Sequence, residues 1–155
     1  MTTSTDRRVR LDKAEAGRIV AGAREAKGVS WAQVADAIGR PPVWTVAALL
    51  GKHPVPPEQA AAAGELLGLD EDVVAALQRQ PYRIADPDLR TDPTVYRFHE
   101  ALSVYGAAIK ELIHEEFGDG IMSAITFNLS VGRKPHPGGD RVVVTFEGKF
   151  LPYQW

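Results

Sequence analysis

The sequence predicts an α+β protein in which an all-helical N-terminal bundle precedes a small domain of one long helix and a β-hairpin. Short runs of helically spaced apolar residues, separated by glycine and proline, occupy residues 11–79. One longer amphipathic segment follows at residues 93–117, and period-two alternation begins after residue 120. The stretch QPYRIADPDLRTD between them has two prolines and reads as an extended linker. We therefore expect two domains, residues 1–82 and residues 83–155.

Five short helices are expected in the N-terminal domain. The first spans roughly residues 11–27 and ends at a glycine. The second has the clearest boundaries, because Ser30 and Gln33 form a capping box and Gly39 is a stop signal. Two prolines open the third helix, VWTVAALLG, and the segments PPEQAAAAGELLG and DEDVVAALQRQ supply the last two. Each helix is too short to be stable unless it packs on the others.

The second and third helices have the layout of a helix-turn-helix, which makes the bundle lambda-repressor-like. A recognition helix needs polar and basic side chains to reach bases and phosphates, yet the third helix offers apolar ones such as Trp44 and Leu49. The formal net charge of −2 provides no basic field either. We expect no nucleic-acid partner. The alternative interpretation is a DNA-binding regulator with a C-terminal oligomerisation or anion-sensing domain.

The composition excludes several kinds of functional site. The chain has no cysteine, which excludes disulfides, thiolate metal sites and a cysteine nucleophile. Its four histidines show no HxxxH or HExxH spacing, so we expect no metal site. The polar start MTTSTDRRVRLDK is not a signal peptide, and no membrane-spanning run follows. These features predict a cytoplasmic protein with no membrane partner.

The long helix is expected to begin at the N-cap Asp92, with Pro93 in the first position, and to end at Gly118 in the left-handed conformation. One face of this helix is an apolar stripe with steps of three and four residues, made of Val95, Phe98, Leu102, Tyr105, Ile109 and Leu112. A second face combines small apolar residues with Arg97 and Glu100. Because so short a chain can hardly cover both faces, we infer that the helix is buried between subunits.

The alternating segment after the helix predicts a strand with one row of inward-facing residues from Ile121 to Val131. Ser123 interrupts this apolar row, so its hydroxyl is either hydrogen-bonded locally or available to a ligand. The segment RVVVTFEGKF predicts a second strand, paired with the first as a hairpin across the loop GRKPHPGGD. We expect the tail to dock on the same or a neighbouring chain through three aromatic residues, Phe150, Tyr153 and Trp155.

The run YRFHEALSVYGAAIKELIHEEFGDGIMSAITF, with Asn128 and the late GKFLP, resembles cyanase, the bicarbonate-dependent cyanate hydratase. The resemblance covers most of the chain and is strongest over residues 92–152. It maps the family's three functional positions onto Arg97, Glu100 and Ser123. It implies a hydro-lyase that decomposes cyanate with bicarbonate as co-substrate and needs no other cofactor. It also implies a homodecamer built from dimers, with its sites between subunits.

The resemblance also implies a role for each site residue. Arg97 is expected to bind the anions and stabilise developing charge, because a guanidinium stays charged and offers a planar fork of donors. Ser123 is expected to donate a hydrogen bond to cyanate or to the adduct. Glu100 either orients Arg97 or carries a proton, and the residues alone do not separate these roles. The expected products are a carbamate and carbon dioxide, and the carbamate then breaks down to ammonia and a second carbon dioxide.

Overall fold

The computed structural model describes residues 10–154, which divide into two compact units, one ending at Arg83 and the other beginning at Ile84. In this described range the first unit holds five α-helices, and the second holds a 3₁₀ turn, a long helix and a two-stranded sheet. The predicted α+β fold class is confirmed. Residues 1–9 of the polar N-terminal segment and the aromatic residue Trp155 lie outside the described residues.

The helices of the first unit are short and end at local signals. Ser30 Oγ accepts from the amide of Gln33 at 3.1 Å and the Gln33 side chain accepts from the amide of Ser30 at 2.8 Å, which confirms the capping box. Gly39 ends its helix in the left-handed region, with φ +74°. A further capping box, formed by Asp12 and Glu15, opens the first helix. The helices are α1 (Lys13–Ala26), α2 (Trp31–Ile38), α3 (Pro42–Leu49), α4 (Pro57–Leu67) and α5 (Glu71–Leu77).

A single apolar core holds these five helices together. Every helix contributes at least one aliphatic side chain that is almost completely buried: Val20, Val34, Leu49, Leu67 and Leu77, in chain order. Burying each such side chain contributes about 1.5–3 kcal/mol relative to leaving it in water. The first unit therefore has its own hydrophobic core.

The side chain of Lys13 connects the first helix of the bundle to the residues at the end of its last helix. The residue is only 8% exposed, and its ammonium group donates to the carbonyls of Leu77 and Arg79, each at 2.8 Å, and to the carbonyl of His53. The start of α1 is thereby tied to the loop after α3 and to the end of α5. Burial lowers the pKa of the Lys13 amine from 10.5 to about 8, and the nearby charge of Arg79 contributes to the shift.

The second unit begins with a turn that we did not predict. Pro87–Arg90 form a 3₁₀ turn, and the Asp86 carboxylate caps it by accepting from the amide of Asp88 at 2.9 Å. The prediction that the whole segment is extended is therefore wrong. An aspartate before a proline favours such a local turn, because its side chain bonds to the backbone two residues on.

The long helix α6 spans Pro93–Phe117, as predicted. The Asp92 carboxylate accepts from the amides of Thr94 and Val95, both at 2.9 Å. Gly118 ends the helix with φ +87° and ψ −174°, so φ is positive as expected but ψ is extended rather than helical. No residue of α6 is buried within the chain, because its apolar stripe faces solvent.

The hairpin consists of β1 (Gly120–Lys134) and β2 (Arg141–Pro152), paired antiparallel as predicted. The ring nitrogens of His114, in the last turn of α6, lie 3.4 Å from Asp119 Oδ1 and 3.3 Å from the carbonyl oxygen of Gly120. Phe117 and Phe150 pack together with ring centroids 5.3 Å apart. These contacts fix how α6 leads into the hairpin. Among residues 10–154 we find no helix whose length and hydropathy would let it span a bilayer.

We predict that Lys13→Met lowers the free energy of unfolding of the bundle by about 1–3 kcal/mol at pH 7, because one buried carbonyl and two part-buried carbonyls lose their donor. Urea unfolding would be followed by the fluorescence of Trp31 and Trp44, in a Trp155→Phe background so that both reporters lie in the bundle. Lys27→Met is the matched control, because Lys27 is exposed and, within the described residues, its ammonium group makes only one long hydrogen bond, 3.4 Å from the carbonyl oxygen of Leu66. Equal effects of the two substitutions would contradict the prediction.

The lowered pKa of Lys13 also predicts a pH dependence. The amine releases its proton near pH 10.5 in the unfolded chain but near pH 8 in the folded one. Between these values the unfolded state binds more protons, so the contribution of Lys13 to stability rises with pH. The difference in unfolding free energy between the wild type and Lys13→Met should grow across this window at fixed ionic strength. A constant or shrinking difference would show that the pKa is not lowered.

Candidate active site

Arg97 and Glu100 lie one turn apart on α6 and contact each other. A guanidinium nitrogen of Arg97 forms an ion pair with Glu100 Oε2, and the two side chains are 68% and 49% exposed in the single chain. An exposed pair of this kind contributes only a few tenths of a kcal/mol. One guanidinium nitrogen of Arg97 is directed toward Glu100, and the remaining N–H groups can bind an oxyanion.

Tyr96 also contacts the arginine, a role that the sequence analysis did not identify. The guanidinium carbon of Arg97 lies 5.5 Å from the centroid of the Tyr96 ring, within the range of a cation–π interaction. The only sequence signal for this contact is that the two residues are adjacent, which is too common to be informative.

Ser123 is 6% exposed and is held by its own strand. Its Oγ accepts from the amide of Ile125 at 3.1 Å and from the amide of Thr126 at 3.0 Å. A serine oxygen has two acceptor positions and one donor hydrogen, so both acceptor positions are used and the hydrogen remains available. The serine is thus a fixed hydrogen-bond donor. Two backbone amides near it bind the serine itself instead of pointing at a ligand.

A bulge of several residues in β1 produces this arrangement. Met122 pairs with Phe150 and Phe127 pairs with Gly148, so the four residues 123–126 face the single residue 149. The predicted unbroken row from Ile121 to Val131 is wrong, because the bulge interrupts the alternation and leaves Ile125 96% exposed.

The three predicted site residues are not joined by one set of hydrogen bonds in the described chain. Arg97 and Glu100 are together, whereas no hydrogen bond or ion pair described for residues 10–154 joins Ser123 to either of them. Within the same range, no group of three or more potential ligands among His, Cys, Asp and Glu is placed to hold a metal ion.

The fold and these residues define a two-unit α+β protein with a charged pair on an uncovered helix and a fixed serine in the adjoining hairpin. Two family models match it: "Cyanate hydratase, N-terminal" over residues 13–81 and "Cyanate lyase C-terminal domain" over residues 87–155. The chain belongs to the cyanate lyase family.

Individual relatives agree with this assignment. A cyanate hydratase of Mycolicibacterium vanbaalenii is 61% identical over 94% of this chain and 95% of its own length. A cyanate hydratase of Pseudomonas savastanoi pv. phaseolicola is 50% identical over 85% of this chain and 86% of its own. The crystal structure of cyanase from T. urticae matches with a TM-score of 0.79 and 34% identity, covering 88% of this chain and 96% of that one.

We predict that Ser123→Ala speeds amide exchange at Ile125 and Thr126 by about tenfold or more, because both amides lose an acceptor worth roughly 1–3 kcal/mol. Hydrogen–deuterium exchange mass spectrometry of a peptide covering residues 121–127 would measure this. Ser130→Ala, at an exposed serine of the same strand, is the control and should leave that peptide unchanged. Unchanged exchange in Ser123→Ala would mean that the serine does not hold the bulge.

Proposed function

We propose that this chain is a cyanate hydratase, a hydro-lyase that decomposes cyanate with bicarbonate to ammonia and carbon dioxide. The observation that carries the proposal is that both family models match and together cover most of the chain, with Arg97, Glu100 and Ser123 inside the second match. The geometry adds an oriented guanidinium and a fixed hydroxyl donor, which are the groups that small oxyanions bind.

The reaction joins two anions that repel each other in water. A bicarbonate oxygen attacks the cyanate carbon, and the adduct takes up one proton and loses carbon dioxide to leave carbamate. Carbamate then takes up a second proton and breaks down to ammonia and carbon dioxide. The protein accelerates this sequence by holding the anions in attack geometry and by neutralising the charge of the adduct.

Each site residue has a role in this scheme. Arg97 binds the anions and balances the growing negative charge through its planar donors. Ser123 donates its free hydroxyl hydrogen to cyanate or to the adduct, and the two amides that bind its oxygen fix that direction. Glu100 orients Arg97, a role that the observed ion pair supports over proton transfer.

We further propose that the active site forms between subunits of a homo-oligomer, a homodecamer built from dimers. Two observations support assembly: α6 buries none of its residues within one chain, and Ser123 makes no described bond to the charged pair. Another copy of the chain would cover the apolar stripe and bring the three residues together. The proposal includes cytoplasmic location and no cofactor other than bicarbonate as co-substrate.

The alternative of a DNA-binding regulator has less support. The helix in the recognition position, α3 (Pro42–Leu49), contains no lysine or arginine. Such a helix offers no cationic side chain to guanine edges or phosphates. We therefore do not propose a nucleic-acid partner.

The decisive experiment is ammonia release from cyanate by the purified protein, with bicarbonate present and with bicarbonate removed. We expect release that depends on bicarbonate. Arg97→Lys should reduce kcat/KM by about 100-fold or more, because an ammonium group lacks the planar fork that binds two oxygens at once.

The matched control is Arg133→Lys, which changes another exposed arginine that pairs with a carboxylate, at 3.4 Å from Asp140. This variant should keep most of the activity. If the wild type released no ammonia under either condition, the proposed function would be wrong, and salt-dependent DNA binding would be measured next.

A further inference from the structure

Gly148 lies on β2 at the edge of the bulge that holds Ser123. It pairs with Phe127, the first residue of β1 after the bulge. A Cβ atom built on Gly148 would overlap the Met122 side chain and would lie 2.7 Å from the carbonyl oxygen of Ser123. Real Cβ atoms essentially never approach another heavy atom within 3.0 Å. The backbone of the serine therefore occupies the space that a side chain at position 148 would need.

The backbone conformation at position 148 does not require a glycine. Gly148 is absent from the set of glycines with positive φ, so alanine could adopt its dihedral angles without strain. Gly132 shows the contrast within the same hairpin. It also lacks a positive φ, it pairs with Val143, and a Cβ built on it meets nothing within 4 Å. Gly148 thus differs from Gly132 in that Met122 and the backbone of Ser123 lie close to it.

We propose that Gly148 is a positioning residue for the Ser123 hydroxyl: its missing side chain lets the bulge come close to β2 and so sets the direction of the serine donor. This inference rests on the proposed function, because it assigns Gly148 a role in cyanate turnover. Gly148 touches no substrate and acts only through the serine.

The two contacts of the added Cβ would relax differently. The Met122 side chain is flexible and can rotate away. The Ser123 carbonyl belongs to the rigid peptide plane between residues 123 and 124, so it moves only if that peptide moves. Moving this peptide shifts Ser123 Oγ relative to the two amides that bind it. The effect of a side chain at position 148 is therefore transmitted to the hydroxyl.

The main experiment compares kcat/KM for cyanate in Gly148→Ala and Gly132→Ala, each in the full-length protein at saturating bicarbonate. Misplacing a reacting group by about 1 Å costs up to about 100-fold, so we expect Gly148→Ala to lose about 10- to 100-fold. Gly132→Ala should change less than about threefold. Size-exclusion chromatography would check that both variants assemble like the wild type.

A double-mutant cycle tests whether Gly148 acts through the serine. In a Ser123→Ala background, Gly148→Ala should cause little further loss, because the group that it positions is gone. If the two losses multiplied fully, Gly148 would act by another route and the inference would be wrong. A merely structural role would not produce this dependence on Ser123.

If Gly148→Ala does not assemble, the double variant Met122→Ala/Gly148→Ala is used instead. It removes the methionine overlap and keeps the contact with the serine carbonyl, so we expect an assembled protein with the same loss of activity. Full activity, or failure of this variant to assemble, would overturn the positioning role. An inactive wild type would instead refute the proposed function, whereas an active wild type with equal Gly148→Ala and Gly132→Ala activities would refute this inference alone.

Discussion

The stability of the second unit depends on burial of the apolar stripe of α6, which the single chain leaves exposed. Side chains of the α6 stripe from Phe98 to Leu112 are 43–64% exposed. Hydrophobic burial is worth about 25 cal/mol per Å², so a helix left in this state has lost its main source of stability. The five-helix bundle has its own core, whereas the helix and hairpin need a further surface. The residues proposed for catalysis all lie in the unit with this need.

Local signals in the sequence were enough to predict much of the fold. The ends of α2 and α6 follow from Ser30, Gln33, Gly39 and Asp92, because a cap acts on residues only two or three positions away. The pairing of β1 with β2 follows from two alternating runs separated by a loop. The charged pair of the site was predictable for the same reason, since residues three apart on a helix are neighbours.

Features that depend on distant residues were not predictable. The bulge arises from the register between two strands, and period-two alternation carries no information on where that register slips. The amides that hold Ser123 therefore could not be anticipated, although the serine itself was identified. The Lys13 hydrogen bonds are similar, because nothing near this lysine in the sequence points to carbonyls as far away as residue 79.

The three hydrogen bonds of Lys13 can form only after their acceptor residues have been synthesised. The lysine and the carbonyl of Arg79 are separated by 66 residues. At about 5–20 residues per second, the ribosome needs roughly 3–13 s to translate that interval. The carbonyl of His53 is made earlier in this interval, whereas the carbonyls of Leu77 and Arg79 are made only at its end. The set of three hydrogen bonds made by Lys13 is therefore complete only after the whole bundle has been synthesised.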